Sequence, residues 1–233
     1  MDVDAKFPVG LFEGKTILVT GGTGSFGGYF IDYLLDKKFK EIRVFSRDEL
    51  KQDDMRLRLQ NSKVKFYIGD VRDRSSVDDA MTGVDYVFHA AALKQVPTCE
   101  FFPMQAMQTN VIGSKNVIES AISCGVSKVV SLSTDKAVYP VNALGITKAL
   151  MEKVIQSTSR KLSEGQTVLT LVRYGNVLFS RGSVIPLFMK LIRENKALTL
   201  TDPRMTRFLL PLKEAINLVG FALENGRQGD IFV

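Results

Sequence analysis

The sequence predicts an α/β protein built on a doubly wound parallel sheet of Rossmann type, on three observations. Short β-branched runs alternate with helical patterns from residue 15 to about 173. The first of these runs leads straight into a glycine-rich turn, Gly21-Gly-Thr-Gly-Ser-Phe-Gly27. A central apolar run, Val129 to Leu132, ends abruptly in two hydroxyls, an acid and an amine: Ser133, Thr134, Asp135 and Lys136. Open α/β sheets bind their ligands at the carboxyl ends of their strands, so these four residues are where chemistry is expected.

The strands are predicted in order at Lys15–Thr20, Glu41–Phe45, Lys63–Ile68, Val84–His89, 128–132 and Val168–Val172. Helical spacing covers Tyr29–Leu35 and a stretch that starts at Pro103 and stops at Gly125. A helix from Asn142 onward, with Leu144, Ile146, Ala149, Met151 and Ile155 at helical spacing, carries Lys148 beside the end of the central strand. Ser46 and Glu49 have the spacing of a capping box. After residue 173 the alternation changes character, and residues 174–233 are expected to form a smaller, incomplete substrate lobe on the nucleotide-binding unit 1–173. They include a helix at Leu212–Leu223 and a last strand ending at Val233. An apolar strand at the very end predicts a piece of a longer chain.

Composition narrows the function classes. With 233 residues, 45% of them hydrophobic, and a mean hydropathy of +0.05, the chain can bury a full core. No apolar run reaches about 18 residues, which argues against a membrane span, and the first 15 residues lack the apolar segment of a secretion signal. Cys99 and Cys124 have no metal-ligand spacing with the single His89, so no metal is expected and a cytoplasmic location is. His89, last in an apolar strand, is read as a core histidine. The net charge of +6 suits small polyanions such as nucleotides and nucleotide sugars. No basic run carries interleaved aromatics, so nucleic acid is not expected as a partner.

The glycine turn satisfies two dinucleotide-binding spacings at once. Gly22, Gly24 and Gly27 give G-x-G-x-x-G, while Gly21, Gly24 and Gly27 give G-x-x-G-x-x-G. Gly21, Thr23, Gly24, Ser25, Phe26 and Gly27 are therefore expected against a cofactor pyrophosphate at a helix start. The second strand ends in Ser46-Arg47, not in the acid that would bind a free ribose 2′-hydroxyl. With Lys51 one turn on, these groups suit a 2′-phosphate, so the cofactor read here is NADP. Asp70 at the third strand's end, with Val71 after it, is placed to accept from the adenine amino group, and reads equally well as a turn residue. Ala90 and Ala92 let the backbone approach the cofactor, and Lys94 follows within reach of a phosphate or a sugar. Arg181, Arg204 and Arg207 are diphosphate candidates or solvated arginines.

These motifs, together with Ala-Ala-Ala-Leu-Lys94, Thr134-Asp135-Lys136, Lys148 and Arg173-Tyr-Gly-Asn176, resemble the extended short-chain dehydrogenase/reductases. More narrowly, the chain is similar to the inverting UDP-N-acetylglucosamine 4,6-dehydratases (5-epimerising) of bacterial surface and capsular polysaccharide synthesis. Dehydratases that retain configuration at C5 typically carry Thr-Asp-Glu where this chain has Thr-Asp-Lys. The resemblance implies C4 oxidation of a UDP-N-acetylhexosamine, loss of water across C5–C6, hydride return to C6 and inversion at C5. It assigns Lys136 as the C5 base, Asp135 as the acid for the C6 hydroxyl, Thr134 to the C4 oxygen, and Lys148 with Ser133 to the cofactor. Lys94, Asn176, Arg181 and Arg207 are implied for the substrate, and a homo-oligomer, often a hexamer, for the assembly. The assigned chemistry needs a neutral amine beside a protonated acid, and burial, helped by the charge of Lys148, is expected to produce both.

One residue departs from the superfamily pattern. The tyrosine four residues before the lysine is replaced by Leu144, which cannot take a proton. A capsule-forming branch, similar also at Tyr139-Pro140 and Leu150-Met-Glu-Lys153, carries methionine there. Tyr139, Lys136 or a water is left to replace the missing base. Two other readings stay open: a UDP-sugar 4-epimerase or reductase, which needs only the hydride step, and a non-catalytic NADP-binding protein.

Overall fold

The computed structural model describes residues 10–180, 182–200 and 202–233. Seven parallel strands form one sheet: β1 (Thr16–Thr20), β2 (Glu41–Ser46), β3 (Val64–Ile68), β4 (Tyr86–His89), β5 (Lys128–Leu132), β6 (Val168–Val172) and β9 (Ile231–Phe232). Their order is β3-β2-β1-β4-β5-β6-β9, so the chain winds outward twice from β1 and β4. This is the doubly wound sheet that the alternation predicts, and the crevice between its two halves opens above β1 and β4.

Side chains alternate across each strand and so feed two apolar layers. On one face Ile17, Val19, Ile42, Val44, Phe88, Val130 and Val172 pack against α1 (Ser25–Leu35) and α9 (Leu212–Asn225). On the other, Leu18, Phe45, Val87, Val129, Leu169 and Leu171 meet α3 (Arg74–Met81), α6 (Gly113–Ser123) and α7 (Ala143–Ser159). Both faces are covered, which is why the strands read as continuous apolar runs and not as alternating ones.

Several boundaries differ from expectation for local reasons. Helix α1 begins at Ser25, four residues before the expected start, because its first turn is made of the glycine loop itself. The α2 helix (Glu49–Leu59) is capped by Asp48, whose carboxylate accepts the Lys51 N–H at 3.1 Å. The expected capping box fails because Ser46 is still paired in β2, opposite Ile68. The stretch from Pro103 to Gly125 is α5 (Pro103–Met107), a π-helical turn (Gln108–Ile112) and α6. Two short helices, α3 and α4 (Val96–Phe101), lie where no helix is predicted.

Beyond β6, the described residues between 176 and 210 lie outside the seven-stranded sheet. They hold a two-stranded parallel pair, β7 (Asn176–Val177) with β8 (Leu209–Leu210), and helix α8 (Val184–Arg193), none of whose residues is buried. Then α9 and β9 return. Lys128 at the start of β5 donates to the carbonyls of Leu223 (2.6 Å) and Glu224 (3.0 Å), fastening the end of α9. β9 joins the free edge of β6. Among the described residues no helix is long and apolar enough to cross a membrane.

A buried polar chain runs beneath the crevice. Thr20 Oγ1 accepts the Ala91 N–H (3.3 Å) and lies 2.7 Å from His89 Nδ1, while His89 Nε2 is 2.8 Å from Ser114 Oγ. Ser114 donates its proton to the Asn110 carbonyl at 2.6 Å, so Nε2 must carry the ring proton and Nδ1 accepts from Thr20. Burial, with Lys148 nearby, pushes His89 down to about 3. The fold therefore keeps a neutral ring that the unfolded chain protonates below about 6.5. This stabilisation is complete above that pH and is lost as pH falls toward 3. Chemical denaturation of His89→Gln should give a stability curve flatter than the parent's between pH 6 and 4, by up to about 1.4 kcal/mol per pH unit. Equal slopes would mean that the ring titrates as in water.

Candidate functional site

The glycine loop is shaped by packing before any ligand is considered. Gly21 has φ +66°, and a Cβ there would lie 2.8 Å from the Ala91 nitrogen, so the turn presses on the chain leaving β4. Gly24 is the N-cap of α1 and supplies no side-chain cap, which leaves the start of the helix open to an anion. Phe26 stacks on Tyr174, with ring centroids 5.9 Å apart, and so ties the loop to the chain after β6. A dinucleotide pyrophosphate fits this cradle of bare backbone.

At the end of β2 the expected cations are present, but each is matched by an acid. Arg47 lies 3.3 Å from Asp70, and the Lys51 amine pairs with Asp48. Asp70 also accepts from Arg72 at 2.9 and 2.6 Å. Burial pushes the Asp70 carboxyl up, but the Arg72 and Arg47 guanidinium groups outweigh it and hold Asp70 below the usual carboxylate range. Three cations against two carboxylates leave one net positive charge for a phosphate. Asp70 is thus committed to arginines, and Val71 is buried in the core. Gln52, not singled out in the sequence, donates to Ser46 Oγ (3.2 Å) and to the Ser46 carbonyl (3.0 Å). The Ser46 hydroxyl proton is then free to point at a cofactor.

The chemical residues gather at the carboxyl end of β5. Beyond Leu132 the chain stays registered with the chain beyond β6: the Ser133 N–H donates to the Val172 carbonyl (2.7 Å) and the Asp135 N–H to that of Tyr174 (3.1 Å). A 3₁₀ turn, Asp135–Ala137, follows. Thr134 Oγ1 donates to Asp135 Oδ1 (2.8 Å), and Lys136 Nζ donates to Asp135 Oδ1 (3.0 Å) and to Asn176 Oδ1 (2.9 Å). Thr134, Asp135, Lys136 and Asn176 thus form one cluster. Its acid and amine are each about 30% exposed. The burial expected to neutralise them falls elsewhere, because the short turn projects past the sheet edge and not into the core.

It falls on Lys148. This residue lies 6% exposed on α7 and donates to the Leu132 carbonyl at 2.8 Å. Burial pushes its amine down to about 8, with Glu152 and Cys99 opposing the shift. Helix α7 gets this close because Asn142 caps it, accepting the Gly145 N–H at 2.8 Å, and because Gly145 has no side chain to meet the Lys136 carbonyl. Glu152, one turn after Lys148 and also buried, accepts the Ser133 hydroxyl (2.5 Å) and both Arg173 Nε (2.9 Å) and Nη2 (2.6 Å). No local pattern marks this ion pair in the sequence, since its partners lie on separate elements. It turns the Ser133 hydroxyl inward.

Leu144 is 5% exposed and packs with Cys99 and Ala106. Tyr139 is 93% exposed with φ 51°, and makes no substitute contact with the cluster. Ala90 and Ala92 are half-buried after β4, and Lys94 is exposed. Arg204 pairs with Asp202 on the surface, and Arg207 is exposed and bonds the neighbouring Thr206 carbonyl at 2.6 Å. Arg181 lies outside the described residues. Of the expected substrate residues, the structure joins Asn176 to the cluster.

Residues 17–233 match the family described as polysaccharide biosynthesis protein. A UDP-glucose 4-epimerase of Rickettsia prowazekii is 60% identical over 227 residues, covering 96% of this chain and 67% of that protein. The solved structure of Pen from Bacillus thuringiensis is 41% identical with a TM-score of 0.92, over 95% of this chain and 69% of Pen. The dTDP-glucose 4,6-dehydratase DesIV of Streptomyces venezuelae, solved with NAD bound, is 25% identical with a TM-score of 0.84, over 93% of this chain and 74% of DesIV. The chain spans about two thirds of the length of these relatives. It belongs to the polysaccharide biosynthesis protein family, within the extended short-chain dehydrogenase/reductases that comprise nucleotide-sugar epimerases and dehydratases.

Proposed function

We propose that the chain is the core of an NADP-dependent UDP-N-acetylglucosamine 4,6-dehydratase that inverts C5. The observation that carries this reading is the Asp135–Lys136 pair, 3.0 Å apart at the mouth of the crevice and steadied by Asn176. An enzyme that only moved a hydride to and from C4 would need neither group. A nicotinamide cofactor bound at the glycine loop supplies hydride acceptance from C4 and its return to C6. Lys148, neutral or charged near neutral pH, holds the cofactor ribose. Ser46, Arg47 and Lys51 receive the 2′-phosphate, and Lys94, Asn176 and Arg207 face the UDP-sugar.

The pair already holds the proton that elimination requires. Transfer of one proton from the Lys136 ammonium to the Asp135 carboxylate, along their existing hydrogen bond, yields a neutral amine and a carboxylic acid. A sugar covering the pair excludes the water that favours its ionic form. The amine then removes the C5 proton, acidified by the C4 ketone, and the acid protonates the C6 hydroxyl, which leaves as water. Lys136 is the C5 base, and Thr134, bonded to Asp135 at 2.8 Å, is assigned to the C4 oxygen. With leucine at 144, the C4 hydroxyl proton passes to a water as the hydride leaves C4; water is a weaker acceptor than a positioned side chain, and this makes C4 oxidation the slow step.

A second reading, UDP-glucose 4-epimerase, is favoured by the name of the 60% identical relatives. Nuclear magnetic resonance in deuterated water, with UDP-N-acetylglucosamine and UDP-glucose in turn, separates the two. The dehydratase gives a C6-deoxy product with deuterium at C5, slows with 4-deuterated substrate, and loses C5 exchange in Lys136→Ala. A C4 epimer without deuterium at C5 would establish the epimerase instead. For the cofactor, Arg47→Ala should weaken NADP(H) relative to NAD(H) by about 1.5–3 kcal/mol in calorimetry, the usual value of a hydrogen bond to a charged group. Equal affinity of the parent protein for both cofactors contradicts the NADP assignment.

A further inference from the structure

We propose that Glu152 is a positioning residue, which from α7 holds the exit of β5, and with it the Asp135–Lys136 pair, in register with Lys148. The inference rests on the roles proposed above for those three residues. Lys148 and Glu152 stand one turn apart, on the same face of α7. They grip consecutive residues of the next element: Lys148 Nζ donates to the Leu132 carbonyl at 2.8 Å, and Glu152 Oε1 accepts the Ser133 hydroxyl at 2.5 Å. The same carboxylate closes a two-pronged pair on Arg173, the first residue past β6, at 2.9 and 2.6 Å. One side chain therefore joins the helix that carries Lys148 to the exits of both strands that frame the cluster.

The other contacts cannot do this alone. The bonds from Ser133 to Val172, from Asp135 to Tyr174 and from Lys136 to Asn176 hold the two exits side by side, as rungs hold two rails. They do not fix how far the rails stand from α7. Lys148 holds one rail, at Leu132, and Glu152, 2% exposed, is the side chain of α7 that bonds both. A buried ion pair is a weak stabiliser, since apolar groups of equal volume commonly serve a core as well or better. Its merit is geometric, because two prongs and a hydroxyl admit a single arrangement. The charge also acts on Lys148. The titratable groups whose fields reach that amine are Glu152 on its own helix, Cys99 on α4 and His89 on β4; Glu152 is the first of them to oppose the effect of burial.

Three variants separate reach from charge. NADPH fluorescence from pH 6.5 to 10 reads cofactor binding without turnover, while kcat and KM are taken with UDP-N-acetylglucosamine. In Glu152→Gln the alkaline midpoint of NADPH binding should move to lower pH, and kcat should fall about tenfold or more with KM within about twofold, as for misplaced reacting groups. Glu152→Asp, which keeps the charge and shortens the arm, should restore the midpoint but not kcat. Ser133→Ala, which leaves the Glu152–Arg173 pair whole, should lower kcat and leave the midpoint unchanged. A folded Glu152→Gln with parental midpoint and kcat overturns the proposal. If that variant does not fold, full kcat in Ser133→Ala overturns it. Absence of turnover with any UDP-hexosamine would count against the dehydratase reading alone, and the midpoints in Glu152→Gln and Glu152→Asp would still decide whether Glu152 governs Lys148.

Discussion

The chain leaving β5 does not become a loop at once. It continues for three residues in contact with the chain leaving β6, through Ser133 to Val172 and Asp135 to Tyr174, and the site depends on that continuation. The middle of the sheet is a rigid base, because helices seal both its faces and β1, β4, β5 and β6 are almost wholly buried. Extending its hydrogen bonding past the last formal strand residue carries that rigidity to Thr134, Asp135 and Lys136. An acid and an amine can then project toward solvent without being mobile.

The burden of desolvation is divided unevenly. Lys148, deep on α7, bears it and has its amine pushed down to about 8. Asp135 and Lys136 keep their mutual ion pair at the rim. This division suits a cycle in which one lysine is a fixed holder and the other must change protonation once the substrate arrives. Leu144 fits the same picture. Its side chain fills an apolar niche with Cys99 and Ala106 and keeps α4 against α7, so losing the superfamily tyrosine costs a proton acceptor and not the packing.

Much of the architecture was legible in the sequence, because parallel strands sealed on both faces must be apolar throughout and their glycine turns have few alternatives. The six main strands, the long helices and the cluster at Ser133–Lys136 follow from that. The helix cap was misread at Ser46 because register with Ile68, a tertiary fact, keeps Ser46 in the strand and passes the cap to Asp48. The burial expected of Asp135 and Lys136 is not found, both being about 30% exposed, for a related reason: adjacency in sequence to a buried strand does not tell which side chains point out of it. Glu152 and Arg173 left no local pattern, being 21 residues apart on a helix and a strand exit. The helical spacing of Glu152 from Lys148 was the one usable sign. The neutralising acids, Asp48 and Asp70, were visible as residues but not as partners of Lys51 and Arg47.

The most direct test is amide hydrogen exchange at Ser133 and Asp135. If the sheet's bonding continues to the reactive residues, both amides exchange on the timescale of the β5 core, within about tenfold of Val130, because they open only with the sheet. Exchange at the rate of an exposed loop, with Val130 still protected, would mean that the cluster is not held by the strands and would contradict the account at its base.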